Sequence, residues 1–511
     1  MTFGEDSRDP GGLRLNPAEL VPGLDTGPGG PAGRPSAPDN RSVPSHEMDI
    51  RIPADVSAAL PSAAYFTGAV FWLVIGSLLG FLSSLKFNSP DLLSATPMLT
   101  FGRVRPAHLN AVVYGWVSLA GAGMTVWMVG RLCRTPVRWT ALLFLSALLW
   151  NAGLAAGTWW LIDGQSRGLE WLEYPRPAAV LIAAAYVLFA LSMFRTFSAR
   201  AVKHIYVSLW YILASLTWFP VLYLVANTFS YSGVAQAAMN WWYAHNLLTV
   251  WVSPLGLAGA YYFIPKIIGR PVYSYSLGVL GFWTFALFYN WNGLHHLVGG
   301  PLPTWAVSLS IAASLLMFIP VIAVAVNHHM TAFRHLGMVK RSPVLRFVVF
   351  GAVSYTLVSV QGSLEATRAV QEIVHFTHYT VGHAHLGVYA FASMVLFGAM
   401  YYIVPRLLMR EWPSPWLIEF HFWTAAVGVM LFVVSLTFGG WLQGMAMAEE
   451  GVPFLDSVAV TVPYLWVRSG GGALMTLGNL VFALHFTWIL ITSAREGIRP
   501  VPEIHAAAGG R

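Results

Sequence analysis

Apolar runs long enough to cross a bilayer recur along almost the whole chain. About 20 consecutive apolar residues in a helix span the hydrocarbon core. Twelve stretches meet that need, at about 62–87, 106–130, 139–162, 177–195, 204–228, 235–264, 274–296, 302–327, 346–367, 376–404, 416–442 and 470–493. Pro177, Pro265, Pro301 and Pro405 punctuate their ends. The pattern predicts an all-α integral membrane protein, a bundle of twelve transmembrane helices over residues 61–495. No soluble domain interrupts the array. Residues 1–60 are rich in Pro, Gly, Asp and Arg and hold no apolar run, which reads as a disordered cytoplasmic tail. Residues 496–511 read as a second cytoplasmic tail.

Composition and charge sharpen this. Only 10% of residues are charged and 56% are apolar, where a soluble domain carries roughly 25% charged residues. The net charge of +7 is spread singly through short loops, so the partner it implies is a lipid bilayer and no nucleic acid. Assigning loops alternately to the two sides places 22 of the 29 Lys and Arg with the termini. The other seven are Lys86, Arg103, Arg105, Arg167, Arg176, Arg368 and Arg468. Such a bias marks the cytoplasmic side. Cys133 is the one cysteine, which excludes an internal disulfide, an iron–sulfur cluster, a CxxCH haem attachment and a two-cysteine copper site. Electrons handled by this chain must come from a partner.

The chemistry lies in the histidines. An ionisable group in hydrocarbon costs several kcal/mol unless paired or metal-bound. His383 and His385 sit two apart in GHAHLG of the tenth span; two helical residues rotate by roughly 200°, so their imidazoles point to opposite faces and can serve two haems. His295 and His296 in NGLHHLVGG end the seventh span, and His245 in WWYAHN lies in the sixth. Three neutral imidazoles from neighbouring elements suit copper, iron or zinc and leave a position open. His108, in GRVRPAHLN near the outward start of the second span, can complete a six-coordinate haem. His375 is placed to hydrogen-bond a haem propionate. Arg103, Arg105 and Arg468 lie on the same outward side, where they can pair with propionates. His328 and His329 fall at the cytoplasmic end of the eighth span and read as a solvated pair. His204, His335, His421 and His485 are isolated and read as structural.

One His on span two, one on six, HH on seven and HxH on ten resembles the haem–copper oxidase superfamily. The strings FGRVRPAHLNAV, VKHIYV, WWYAHN, YYFIPKIIGRPVYSYSLG, NGLHH, SPVLRF, YTVGHAHLG and YYIVPRL are similar to those of the cbb3-type (C-family) cytochrome c oxidase catalytic subunit. The likeness runs from about residue 60 to 495. It implies a terminal respiratory oxidase in a bacterial inner membrane, reducing O2 to water with electrons from cytochrome c subunits and coupled to proton translocation. It implies two b-type haems and one copper ion. His108 and His385 would hold the low-spin haem, His383 the active-site haem, and His245, His295 and His296 the copper. Glu173, in LEYP, resembles a family glutamate near a calcium ion that bridges the propionates.

Such oxidases need a tyrosine near the copper to supply an electron and a proton. Where other oxidase families carry it, four residues after the first copper His, this chain has Thr249. Tyr289 matches the C-family position on the seventh helix, where the phenol is joined to the copper His of helix six, here His245. Counting helical residues puts Tyr289 seven before His296, roughly 10 Å deeper on one face. The related nitric oxide reductases use non-haem iron, put a glutamate at the position of Thr249 and lack the tyrosine. The chain departs from the C family at Gly278, Gly281 and Gln361, which align with a Ser, a His and a Glu of the family's proton path. Glu365, about one turn beyond Gln361, is the substitute the sequence offers. A nitric oxide reductase, or a diverged haem-binding electron carrier or sensor, are the alternatives these departures leave.

Overall fold

A computed structural model describes residues 45–496, with side chains from 53 to 494; the expected tails at 1–44 and 497–511 lie outside the described residues. Among the described residues every regular element is a helix. Without water in the bilayer, each spanning segment must satisfy its own backbone hydrogen bonds. The apolar runs become α1 (Ser45–Asn88), α2 (Phe101–Cys133), α3 (Thr140–Asp163), α4 (Arg176–Ser198), α5 (Val207–Thr228) and α6 (Gly233–Ile268). They continue as α7 (Tyr275–Phe288), α8 (Thr304–Phe333), α9 (Pro343–Glu365), α10 (His378–Leu408), α11 (Pro415–Ala448) and α12 (Val462–Glu496). Eleven of these segments are long and apolar enough to cross a membrane. The remaining one is α7, with 14 residues.

Two boundaries differ from the sequence reading. Residues 53–60, assigned to the tail, belong to α1, where Ala54 and Ala58 are buried. Asp55 pairs with Arg131 at 2.7 Å and accepts from Trp127 Nε1 at 3.0 Å. The counter-charge comes from the end of α2, roughly 75 residues away along the chain, and is invisible to local composition. The seventh span, expected to run to 296, stops at Phe288 and passes through a 3-10 turn at Tyr289–Trp291 into another at Leu294–Leu297. Between them Gly293 adopts φ +113°, where a Cβ would meet the Trp241 carbonyl at 2.7 Å. The backbone of α6 lies too close for any side chain, and the conformation suits only glycine. Tyr289 and His296 therefore do not share a helical face.

Three helices are interior. The most apolar stretches of α2, α6 and α10 are 94%, 83% and 83% buried, against 39–56% for the other eight spanning segments. Large apolar side chains of the outer helices, such as Phe438, Trp283 and Leu484, are exposed as lipid contact requires. The three interior helices share a second property. Each contains a π-helical stretch: Ala111–Val117 in α2, Leu247–Val252 in α6 and Leu386–Ser393 in α10. Such bulges insert an extra residue into the turn and occur often at functional sites. Ser118, Ser253 and Ser393 each donate their hydroxyl to the carbonyl five residues back, closing the wide turns. Trp251 of α6 donates to Ser118, and Trp116 of α2 to Ser393, both at 2.8 Å. The three wide turns are thus tied into one unit in the middle of the bundle.

Candidate haem and metal centres

Each of the three bulges begins one to three residues after a histidine singled out in the sequence. On one side of α10, His385 faces His108 of α2 with ring centroids 6.4 Å apart and planes 14° from parallel. A metal–nitrogen bond of about 2.0 Å and a further ~1.1 Å to the ring centre on each side add to about 6.2 Å. An iron with two axial imidazoles fits this gap. His108 Nδ1 lies 2.7 Å from the Gly76 carbonyl and His385 Nδ1 2.9 Å from that of Val381. With Nδ1–H donating to a carbonyl, Nε2 is left bare for a metal. Gly80 makes room for the His108 ring, since a Cβ there would meet Cε1 at 2.5 Å.

On the other side of α10, His383 faces the remaining set. One ligand atom from each of His245, His295 and His296 lies within 4.8 Å of the others. An ion with bonds of about 2.0 Å asks for nitrogen separations of ~3.4 Å, so the three ligand atoms are already gathered close to the spacing a metal needs. Ser310 and Ser314 each lie 3.1 Å from His295 Nδ1, leaving its Nε2 as ligand. Trp241 stacks on His296 at 4.7 Å. His245 Nδ1 is buried with no hydrogen-bond partner, as an atom kept for a metal or a covalent link would be. Thr249 is no carboxylate; its hydroxyl donates to the His245 carbonyl at 3.1 Å.

Tyr289 is buried at the end of α7, with Tyr355 and Ser359 of α9 as polar neighbours of its hydroxyl. Gln361 and Glu365 lie elsewhere. Gln361 Oε1 is 3.4 Å and Glu365 Oε2 3.6 Å from His383 Nδ1. Both approach the Nδ1 edge of the His383 imidazole, a neighbour the sequence did not name. Counting along α9 gives their spacing but not which neighbour they meet.

At the outward end, Arg468 is buried, its guanidinium 4.9 Å from the ring of Phe87 and 5.8 Å from that of Phe432. Phe432 in turn packs on His385 at 4.2 Å, so Arg468 borders the His108–His385 gap. Arg105 pairs with Glu170 at 3.1 Å. Arg103 donates to the Ile162 carbonyl at 3.0 Å, at the end of α3. His375 is held by Gln371 at 3.0 Å. Glu173 is buried in the loop before α4, accepting from Asn110 at 2.9 Å, and burial pushes its carboxyl up to about 7. His378 is a residue the sequence reading passes over. Its ring lies 5.2 Å from Phe87, the same ring that carries Arg468. Its place shortly after His375, at the outward start of α10, is the signal that could have found it. The solvated reading of His328 is overturned, for the residue is 2% exposed and its ring is 4.2 Å from Tyr261.

Residues 61–474 match the family described as Cytochrome C and Quinol oxidase polypeptide I. The chain belongs to that family. Within it the likeness is to the cbb3-type branch. The chain is 32% identical over 443 residues to the cbb3-type cytochrome c oxidase subunit CcoN1 of Stutzerimonas stutzeri, covering 83% of this chain and 93% of the relative. It is 30% identical over 449 residues to a cytochrome c oxidase subunit 1 homolog of Agrobacterium tumefaciens, covering 84% and 83%. A solved haem–copper terminal oxidase dimer shares the fold, with a TM-score of 0.67 and 16% identity over 89% of this chain and 85% of that one. Membership of this oxidase family carries haem and copper as cofactors and a multi-pass bacterial membrane protein as the setting.

Proposed function

We propose that this oxidase subunit reduces O2 to water, with electrons delivered by a cytochrome c-containing partner and coupled to proton translocation. The observation that carries the reading is the three-imidazole set of His245, His295 and His296 lying across from His383, with Tyr289 buried at the end of α7 and a threonine at 249. Bound haem and copper supply the oxygen-binding and electron-transfer chemistry. In this reading two b-type haems are held, one by His108 and His385 and the other by His383, and one copper by the three-histidine set.

The chain's own residues divide the remaining work. Ser310 and Ser314 fix the tautomer of His295, and the wide turn after His245 sets the direction of that ring. Tyr289 holds a transferable proton and electron at its phenol. Arg468 and Arg105 hold propionates at the outward face, while Arg103 and His375 flank them. Glu173 is the place for a calcium ion. The basic loops face the cytoplasm and the six histidines lie toward the opposite surface.

Metal and haem content of the purified complex, with O2 and NO uptake measured on the same sample, tests this. Copper near one per chain, two b-type haems and fast O2 uptake are expected. A third iron without copper, together with NO consumption, would replace the reading by nitric oxide reduction. Normal haem spectra with neither gas turned over would leave only an electron carrier or sensor.

A further inference from the structure

Reduction of oxygen consumes protons, and Gly278 and Gly281 offer none of the side chains that could pass them to Tyr289. Gly278 of α7 instead faces a polar cluster. A Cβ at this position would lie 3.6 Å from Asn327 Nδ2 and 3.6 Å from a ring carbon of Tyr261. Asn327 and His328 are neighbours on α8, and His328 packs its ring against Tyr261. Neither ring nitrogen of His328 has a hydrogen-bond partner on the protein, although the residue is buried. The same holds for the hydroxyls of Tyr211 and Ser208.

These groups form a sequence in space. Tyr211 stacks on Tyr261 at 5.9 Å and meets Phe285 at 5.5 Å; Phe285 packs on Tyr289 at 4.2 Å. Tyr355 borders the Tyr289 hydroxyl. Leaving a buried polar group unsatisfied is costly, and a lone histidine in hydrocarbon is costlier still. Packing alone is served better by phenylalanine at 328. Buried polar groups that lack protein partners are served by ordered water, and the glycine at 278 leaves room beside Asn327 for one.

We propose that His328 is a proton relay, entering from α8, that takes the place of the side chains missing at Gly278 and Gly281. It accepts a proton on one ring nitrogen from the basic side and releases the proton of the other nitrogen toward Tyr211, Tyr355 and Tyr289. The imidazole gains and loses one proton per passage, and ring rotation restores the starting tautomer. The route rests on the oxidase reading above, with the basic side as the cytoplasm.

The test uses the complete complex carrying His328→Phe and, separately, His328→Gln. Oxygen turnover is compared with the parent in H2O and D2O, with haem and metal content measured on each sample. Failure of the parent complex to reduce oxygen would be failure of the oxidase reading, and is seen before any variant is made. The relay predicts at least a tenfold loss of turnover with full haem and metal content, and a solvent isotope effect at least twice that of the parent. His328→Gln, closer to histidine in polarity, supplies the measurement if the Phe variant fails to assemble. Turnover within twofold of the parent would overturn the proposal. So would a loss of turnover with an unchanged isotope effect, which is the mark of a packing lesion.

Discussion

The imidazole planes of His108 and His385 lie 14° from parallel with centroids 6.4 Å apart, each ring with Nδ1 against a backbone carbonyl. Two rings already turned toward one another and bare at Nε2 bind a metal with little loss of freedom. His108→Ala is expected to remove the low-spin haem signal from the optical and EPR spectra. Turnover should fall by at least about 100-fold, because electrons then lack their entry point. Retention of a six-coordinate low-spin haem would show that His108 is not its ligand.

Ser310 and Ser314 address the Nδ1 of His295 from α8. Partners of this kind orient a ligand, and their loss typically costs roughly 10–100-fold in metal affinity. The double change Ser310→Ala and Ser314→Ala should lower copper retention by about that factor against a chelator, with both haems kept. Copper analysis after graded chelator treatment checks it.

Gln361 and Glu365 stand behind His383. More negative charge there strengthens the imidazole as a donor and stabilises the oxidised iron. Gln361→Glu should lower the midpoint potential of the active-site haem by on the order of 60 mV, equivalent to about 1.4 kcal/mol for one electron. A spectroelectrochemical titration reads the shift. An unchanged potential with a raised turnover would show that Gln361 acts on proton delivery instead.

Burial pushes the Glu173 carboxyl up to about 7 from its ordinary 4.5. The folded state holds the proton that the unfolded chain gives up first. The stabilisation is complete below the unfolded value and is lost as pH rises through the folded one. The melting temperature of the complex should therefore decline from about pH 5 to about pH 8, and Glu173→Gln should flatten part of that decline. Calcium added above about pH 7 should raise the parent's melting temperature and leave that of Glu173→Gln unmoved, if the ionised carboxylate is a ligand.

Much of the site is legible in the sequence. The opposite directions of His383 and His385 follow from the helical repeat alone, and the separate strings around His108, His245 and the HH pair place the other ligands on named spans. What fails is whatever depends on counting residues through a helix without knowing where it changes pitch. Counting puts Tyr289 and His296 on one face, but the break at Asn292–Gly293 answers to the nearness of the α6 backbone, a tertiary cause. His328 reads as solvated because its distance from the helix end is legible and the rotation of α8 is not. Gln361 and Glu365 keep their spacing but meet His383 for the same reason. Asp55 reads as part of a tail because its partner, Arg131, lies on another helix.

The wide turns after His108, His245 and His385 have a consequence for how the molecule tolerates change. Each inserts one residue and so uncouples the angular phase of the helix above from that of the helix below. The bundle then behaves as two stacked storeys joined by three compliant couplings, pinned to each other by Trp116 and Trp251. The upper storey keeps its six imidazoles aimed at fixed points in space. Residues below the turns, Gly278 of α7 and His328 of α8 among them, lie outside the segments that set that aim.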